Sequence, residues 1–492
     1  MPIQFNQIPG NIRVPFVRFE VNAGQAPYSS IQRLVLIGQK TAAGSAVADE
    51  PLLVTQNEDA FFGTGSMLAA MYKIARANAP LQEIWAIPLA DATGGATAAT
   101  GSVTVSTAPT SSVSIVLYIG GYRISVPVNA LMTSANCATA IAAAINACPG
   151  IVVSAAVDGT TASKVNITAL NKGSLGNGIR IETNLNAGDG NAADVLTTIV
   201  QLTGGNGDPD ITNAIANMGD EQWDWIVMPY CIGATLTQME AWLDARWGPM
   251  SQMYGHQITS MSGTAGTVQT FTSARNSWHT SIMPVYNAPQ PTYLWAAAVG
   301  AQTAQHFQAP PELSRPLQTV ELIGILPPKS IGDQWSTLQR QSFYFSGASG
   351  YRVQDGAVQI DRLITTYQRN AWGSPDQSWL NVNTIAQLTY GLRYIMAYMT
   401  QTYPRAALVD KNPNNLQGFA TADDLKNAFI HAYKLLEDDG VFENSDLFAQ
   451  LLIVERNADN PDRVDTFLPL DHVNQLRVLA VNATSYPQFP TA

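Results

Sequence analysis

The chain has 492 residues and a formal net charge of −11, with 46% apolar and only 13% charged residues. That length accommodates two to four domains, each with its own core. The acidic balance excludes a general nucleic-acid binder, which needs a basic footprint, and no apolar run approaches the ~20 residues required to span a bilayer.

Sparse charge predicts that much of the surface is covered by other subunits. No basic stretch followed by an apolar one opens the chain, so the cytoplasm is the expected place of synthesis and residence. Of the three cysteines, Cys137 and Cys148 fall on one predicted helix, separated by roughly 16 Å of axis. A disulfide cannot reach that far, so three buried, unpaired thiols are expected.

In chain order, Ile12, Val14, Phe16, Val17, Phe19 and Val21 lie in a stretch patterned as one half-buried strand. A joint containing Gly24 and Pro27 separates it from the next element. A terminal strand of this kind needs a sheet to join, its own or another subunit's. Residues 34–38 read as a buried strand, Leu68, Met71, Tyr72 and Ala75 as a helix, and 83–88 as a second strand: βαβ grammar. The glycine-bearing 61–66 segment lacks the Gly-Lys-Ser/Thr ending of a phosphate loop and reads as a turn and N-cap.

From 93 to 205 the composition shifts to Ala, Thr, Ser, Gly and Val, and eight residues are charged. Strand signals recur at 102–106, 114–119, 123–128, 152–156, 164–169 and 180–183, with one helix over 136–147. This spacing predicts a small β-rich domain, inserted because α/β grammar resumes after it. The 204–210 turn lacks the spaced acidic ligands of a calcium loop and reads as a boundary, with Asp210 capping the next helix.

Beyond it, strands are expected at 223–229 and 281–284, and helices at 236–247, 293–307 and 333–343. Strands at 351–354, 358–361 and 363–367 lead to a turn over 373–376. Asn383 is then placed as the N-cap of a helix whose stripe is Ile385, Leu388, Leu392, Ile395, Met396 and Met399, ended by Pro404. Thr421 and Asp424 form a capping-box variant before a second stripe, Leu425, Ala428, Phe429, Ala432 and Leu436.

Glu437, Asp438 and Asp439 crowd the end of that second helix, the wrong sign for its dipole. They form either a solvated acidic tip or the complement of a partner's basic patch. Strands follow at 451–456 and 464–468. Residues 478–481 are apolar on both faces, as a buried central strand would be. Residues 482–492 are rich in Pro, Ser and Thr.

Nothing in the sequence is patterned for catalysis. The five histidines, His256, His279, His306, His431 and His472, include no His-Glu-x-x-His, and no Gly-x-Ser-x-Gly elbow occurs. Ser277-Trp278-His279 is adjacency, not a triad. No catalytic, cofactor-binding or metal-binding residue is expected, and no cofactor.

Several phrases carry a family resemblance: ITTYQ (364–368), Pro375-Asp376, LNVNT (380–384) and YPR (403–405). To these are added GDEQ (219–222), MPY (228–230), RWGPM (246–250), RPLQT (315–319), KGSLGN (172–177), IVER (453–456), NPDR (460–463) and VNQLRVLA (473–480). With them the chain resembles, over nearly its whole length, the tail-sheath proteins of contractile phages of the Mu-like type.

The resemblance implies an α+β or α/β multidomain fold: a mixed-sheet sheath core, an inserted β-rich outer domain, and extended N- and C-terminal strand arms. The boundaries expected are an arm and hinge over 1–27, a sheath α/β domain over 28–92 and 206–320, the insertion over 93–205, an inner core domain over 321–470, and an arm and tail over 471–492. The arms, carried by Ile12–Val21 and by Leu476, Val478, Leu479 and Val481, would cross to neighbouring subunits, swinging at Gly24, Pro27 and Pro469. The implied partners are further copies in hexameric rings, a tail tube (contacted through Glu437, Asp438 and Asp439), and baseplate and tail terminator proteins, with no nucleic acid and no membrane insertion. The implied place is a virion tail assembled in the host cytoplasm. The alternatives are the sheath of a pyocin-like or other bacterial contractile injection system and, more remotely, an α/β enzyme.

Overall fold

The computed structural model describes residues 32–414 and 416–486. The predicted N-terminal strand with Gly24 and Pro27, residue 415 and the last six residues lie outside the described set. The described chain divides into two units, one of residues 32–389, 438–443 and 471–486, the other of 390–437 and 444–470.

The larger unit begins with β1 (Arg33–Gln39), β2 (Leu52–Leu53), α1 (Glu58–Phe62), α2 (Met67–Asn78) and β3 (Glu83–Leu89). Ser66 caps α2, its hydroxyl accepting from the Ala69 amide, so the glycine-bearing loop is the turn and cap expected of it. The low-charge stretch supplies β4 (Ala98–Val105), β5 (Val113–Ile119), β6 (Tyr122–Val128), α3 (Ser134–Ala147), β7 (Val153–Val157), β8 (Lys164–Lys172), β9 (Ile181–Thr183), α4 (Ala192–Leu196) and β10 (Thr197–Thr203). The chain returns with α5 (Thr212–Asn217), β11 (Trp225–Val227), α6 (Gly233–Trp247), β12 (His256–Ser262), α7 (Ala265–Ser273), β13 (Thr280–Val285) and α8 (Thr292–His306).

Six strands form one sheet in the order β13-β12-β11-β1-β3-β2, parallel except for the antiparallel edge strand β2. Leu34, Val35, Leu36 and Ile37 of β1 are all fully buried, as a parallel strand covered on both faces demands. Their alternation sorts them. Val35 and Ile37 join Ile226 and Met228 in a core with Ile211 and Ile215 near α5 and Leu236, Met239 and Leu243 of α6. Leu34 faces α8, where a Cβ on Gly300 would stand only 2.4 Å from Val227 Cγ2, so the glycine sets how closely helix and sheet approach.

Strands β10-β4-β8-β7 make an antiparallel sheet and β6-β5-β9 a second, with α3 packed on the first. The KGSLGN phrase lies at the foot of this region. The Ser174 amide and hydroxyl both donate to Asp208, Asn177 exchanges two hydrogen bonds with Gly205, and the Lys172 amide donates to Asp91. The strand β10 was not foreseen, although its run TTIVQLT is β-branched.

After α8 come α9 (Thr337–Ser346), β14 (Gly350–Gln354) and β15 (Ala357–Arg362), the two strands pairing as a hairpin. The helix starts later than the expected 333–343 because residues 331–333 spend one 3₁₀ turn and Ser336 with Gln339 makes a full capping box. Residues 363–367 correct the reading as a strand. Their backbone bonds go to several separate places: Ser349 Oγ from the Ile364 amide, Leu380 O from Thr365 and Thr280 O from Thr366.

The helix α10 (Val382–Thr402) follows, and Asn383 lies inside it rather than capping it. Cys137 is buried, but Cys148 and Cys231 are only partly so, which corrects the expectation of three buried thiols.

The smaller unit contains the end of α10, β16 (Ala407–Leu408), β17 (Phe419–Ala420), α11 (Ala422–Asp438), α12 (Ser445–Leu451), β18 (Ile453–Arg456) and β19 (Val464–Phe467). The predicted capping box is present: Thr421 Oγ1 accepts from the Asp424 amide while Asp424 Oδ2 accepts from the Thr421 amide. The core of this unit is Ala428, Ala432, Tyr433 and Leu436 of α11, with Phe448 of α12 stacked on Tyr433 at 3.9 Å between ring centroids.

Candidate interaction surfaces

Most of the phrases that carry the resemblance are occupied inside the chain. Arg246 of RWGPM is buried and donates to the carbonyls of Gly219 and Glu221, in GDEQ. Asn383 of LNVNT donates to Leu313 O and to Arg315 O, the first residue of RPLQT. Gln368 of ITTYQ donates to the carbonyls of Thr272, Arg275, Ser346 and Thr366, and Tyr367 OH donates to Asp376 Oδ2 at 2.6 Å. Buried polar groups must find partners, and these side chains find theirs within the chain.

Two phrases differ. The strands β18 and β19 form an antiparallel pair, and among the described residues neither has a further strand beside it. Ile453 is 54% exposed and Phe467 59%. A two-stranded ribbon with open edges and bare apolar side chains is marginal by itself and a template for further strands.

The second is VNQLRVLA. Its root is fixed: the Glu443 amide donates to Asp471 O, the Val473 amide to Val441 O, and Gln387 Nε2 to Val473 O at 2.9 Å. Beyond Arg477 the backbone runs without regular structure. Leu476 is 75% exposed, Val478 81%, Leu479 78% and Val481 74%. Residues 478–481, patterned as a buried strand, thus make no strand within their own chain. The hydrogen bonds at Asp471 and Val473 lie just after Pro469, the residue read from the sequence as a hinge.

At the end of α11, Glu437 Oε1 accepts from the Ser445 amide and so caps α12, and hydrogen bonds from Ser445 hold its carboxyl below the usual range. Asp438 and Asp439 are exposed. Sequence reasoning gave β18–β19 only as strands, and no residue pattern in IVER marks its edges as open.

In the Ser277-Trp278-His279 stretch the side chains are engaged separately. His279 Nε2 lies 2.8 Å from Asp244 Oδ1, and Ser277 Oγ accepts from the His279 amide at 3.2 Å. Trp247, Trp278 and His279 pack as one aromatic group. Among the described residues no cluster of His, Cys, Asp and Glu could hold a metal ion, and no helix is long and apolar enough to cross a membrane.

Burial lowers His279, and two other histidines, more strongly lowered, add to the loss of stability in acid. Burial pushes His256, beside Ser281 Oγ at 2.8 Å, down to about 3. Burial also takes His472, edge-on to Phe442, down to about 4. Both titrate near 6.5 when unfolded. Between those limits the unfolded chain binds protons that the folded protein does not, so stability is full above 6.5 and falls as pH drops. Urea melts should show the larger unit weaker at pH 5 than at pH 7.5 by about 3–4 kcal/mol; equal stability at both would mean that these rings are hydrated.

The comparisons with known proteins agree on one family. The phage tail sheath protein central domain matches residues 204–366, and the phage tail sheath C-terminal domain matches residues 374–484. The chain is 35% identical to the Mu-like prophage FluMu tail sheath protein of Haemophilus influenzae, over 98% of this chain and 99% of that one. Among solved structures it is similar to a sheath tail protein of Desulfitobacterium hafniense, with a TM-score of 0.50 and 13% identity over 94% of this chain and 97% of that one. A sheath tail protein of Listeria innocua gives a TM-score of 0.48 at 12% identity, covering 92% and 93%.

Proposed function

The chain belongs to the phage tail sheath family, and from that premise we propose that it polymerises in six-fold rings around a tail tube and contracts to drive that tube through the host envelope. As a phage tail sheath protein it is a component of the virion tail, and its relatives are structural proteins rather than enzymes.

The observation that carries the polymer reading is the exposed apolar segment 476–481, matched by a hairpin with open edges. A soluble chain does not leave four large apolar side chains in a row of six residues in water without a use for them. In the proposed lattice, residues 478–481 of one subunit add a strand beside β18–β19 of another, and the N-terminal segment carrying Ile12–Val21 does the same from the other end. Main-chain pairing of this kind holds subunits together while their bodies move, which contraction requires. As the family resemblance implies, the β-rich region of residues 93–205 would face outward and the C-terminal core of residues 321–470 would face the tube, with the exposed Asp438 and Asp439 available for contact. Tail tube, baseplate and terminator proteins are the expected partners, met during assembly in the host cytoplasm.

Negative-stain microscopy of the purified full-length protein tests this directly. Hollow tubules with six-fold end views are expected. A protein that stays monomeric at high concentration, across salt and temperature, would end the proposal.

A further inference from the structure

Beside the first turn of α10 lies a cavity of about 380 Å³, lined in part by Tyr344, Arg362, Tyr367, Arg369, Asp376 and Leu380. Arg362 forms part of its wall. Its Nη2 donates to Asn381 Oδ1 at 3.0 Å, its Cζ stands 5.7 Å from the Tyr344 ring centroid, and its buried Nε has no acceptor. Arg477 reaches the same turn of helix: its Nη2 donates to Asn383 Oδ1 at 3.0 Å and to Gln475 Oε1 at 3.1 Å.

Every acceptor offered to these two guanidinium groups is a neutral amide. Asp361 is engaged by Arg340 at 3.1 Å and by Tyr344 OH. The cavity's own acid, Asp376, accepts from Tyr367 OH and from the amide and hydroxyl of Ser378. Among the described residues neither Arg362 nor Arg477 forms an ion pair. Burial, then the neighbouring charge of Arg362, brings Arg477 down to about 10. The amino end of a 21-residue helix adds positive potential at the same place. Two half-buried like charges whose hydrogen bonds reach no carboxylate are a costly arrangement, and guanidinium groups are shaped to take a carboxylate through two parallel bonds.

We propose that Arg362 and Arg477, with the cavity beside them, are the receiving half of an inter-subunit ion pair that binds a carboxylate from a second copy of this chain. The proposal rests on the self-assembly argued above. A second copy is the occupant because the chain carries 37 acidic against 26 basic residues, so copies meet with carboxylates in excess. Arg477 also stands directly before the exposed 478–481 segment, so a neighbour that engages the segment arrives at the arginines. The root of the arm would then be locked by charge only once the arm is engaged.

The test compares wild type, Arg362→Gln, Arg477→Gln and Arg362→Lys by two readouts: the protein concentration at which tubules form, and the melting temperature of the unassembled subunit. Each Gln variant should raise the assembly concentration about tenfold to a hundredfold. The melting temperature should hold or rise, because each variant removes one of two repelling charges. The Lys variant, keeping charge but losing the two-pronged geometry, should fall between.

Wild-type tubules with unchanged assembly of the Gln variants would overturn the proposal and leave the sheath reading intact. A melting temperature that drops in step with assembly would overturn it too, showing a merely structural role. So would stabilisation of the wild-type subunit by millimolar inorganic phosphate, lost in Arg362→Gln with assembly unaffected, since the site would then serve a free anion. Wild type that forms no polymer at all removes both.

Discussion

A protein lacking residues 478–492 but keeping Arg477 is expected to form no tubules at concentrations where the full chain does, while the melting temperature of its subunit stays within about 2 °C of wild type. The second half follows from exposure: Val478, Leu479 and Val481 bury almost nothing against their own chain. The first half follows from what they would bury elsewhere. These three side chains contribute roughly 1.5–3 kcal/mol each when enclosed. Ordering residues 478–481 costs about 1–2 kcal/mol per residue, so the two nearly offset. The main-chain hydrogen bonds of an added strand, at about 1 kcal/mol net each, then decide the balance. Four to six of them amount to about three to four decades in assembly concentration. Light scattering against concentration reads this, and truncated protein that assembles like wild type would remove the donated strand from the account.

The sequence made the sheet and the helices readable because their patterns are local. The run Leu34–Ile37 is apolar on both faces and could only be central; helices read at 236–247 and 293–307 stand in the structure as Gly233–Trp247 and Thr292–His306. The stretch 363–367 misled for a physical reason. It is as β-branched as any strand, but its amides are taken by Ser349 Oγ, Leu380 O and Thr280 O, partners scattered through the larger unit that no local pattern encodes. Asn383 misled similarly, since its side chain turns away from the start of α10 to the carbonyls of Leu313 and Arg315.

The interaction surfaces were half legible. Residues 478–481 stood out as apolar on both faces, but that pattern alone cannot distinguish a strand kept from a strand given. In the structure these side chains are exposed and form no strand among the described residues, which is the condition the proposed donation needs. The Arg362–Arg477 pair was invisible, because its residues lie 115 positions apart and meet only through the first turn of α10.

Trp295→Ala should have the opposite effect to the truncation, costing about 3–5 kcal/mol of subunit stability in urea melts. Trp295 lies in α8, a helix whose residues Thr292–Ala304 are all buried. A helix apolar on every side is a central element rather than a covering one. Its indole is wholly enclosed and packs 4.7 Å from the Tyr351 ring centroid. Truncation to a methyl group leaves a cavity that the sheet on one side and β14 on the other cannot collapse to fill.

Trp295→Phe is the control. It keeps most of the volume and removes an indole N–H that has no acceptor in the structure, so its cost should stay under about 2 kcal/mol. A loss near 1 kcal/mol for the Ala variant would mean that α8 is not enclosed. Because α8 presents no exposed side chain between Thr292 and Ala304, folded Trp295→Ala subunits kept cold should still assemble at the wild-type concentration. The two variants therefore separate stability from assembly in opposite directions, which is what the proposed polymer, folded around α8 and joined through residues 476–481, requires.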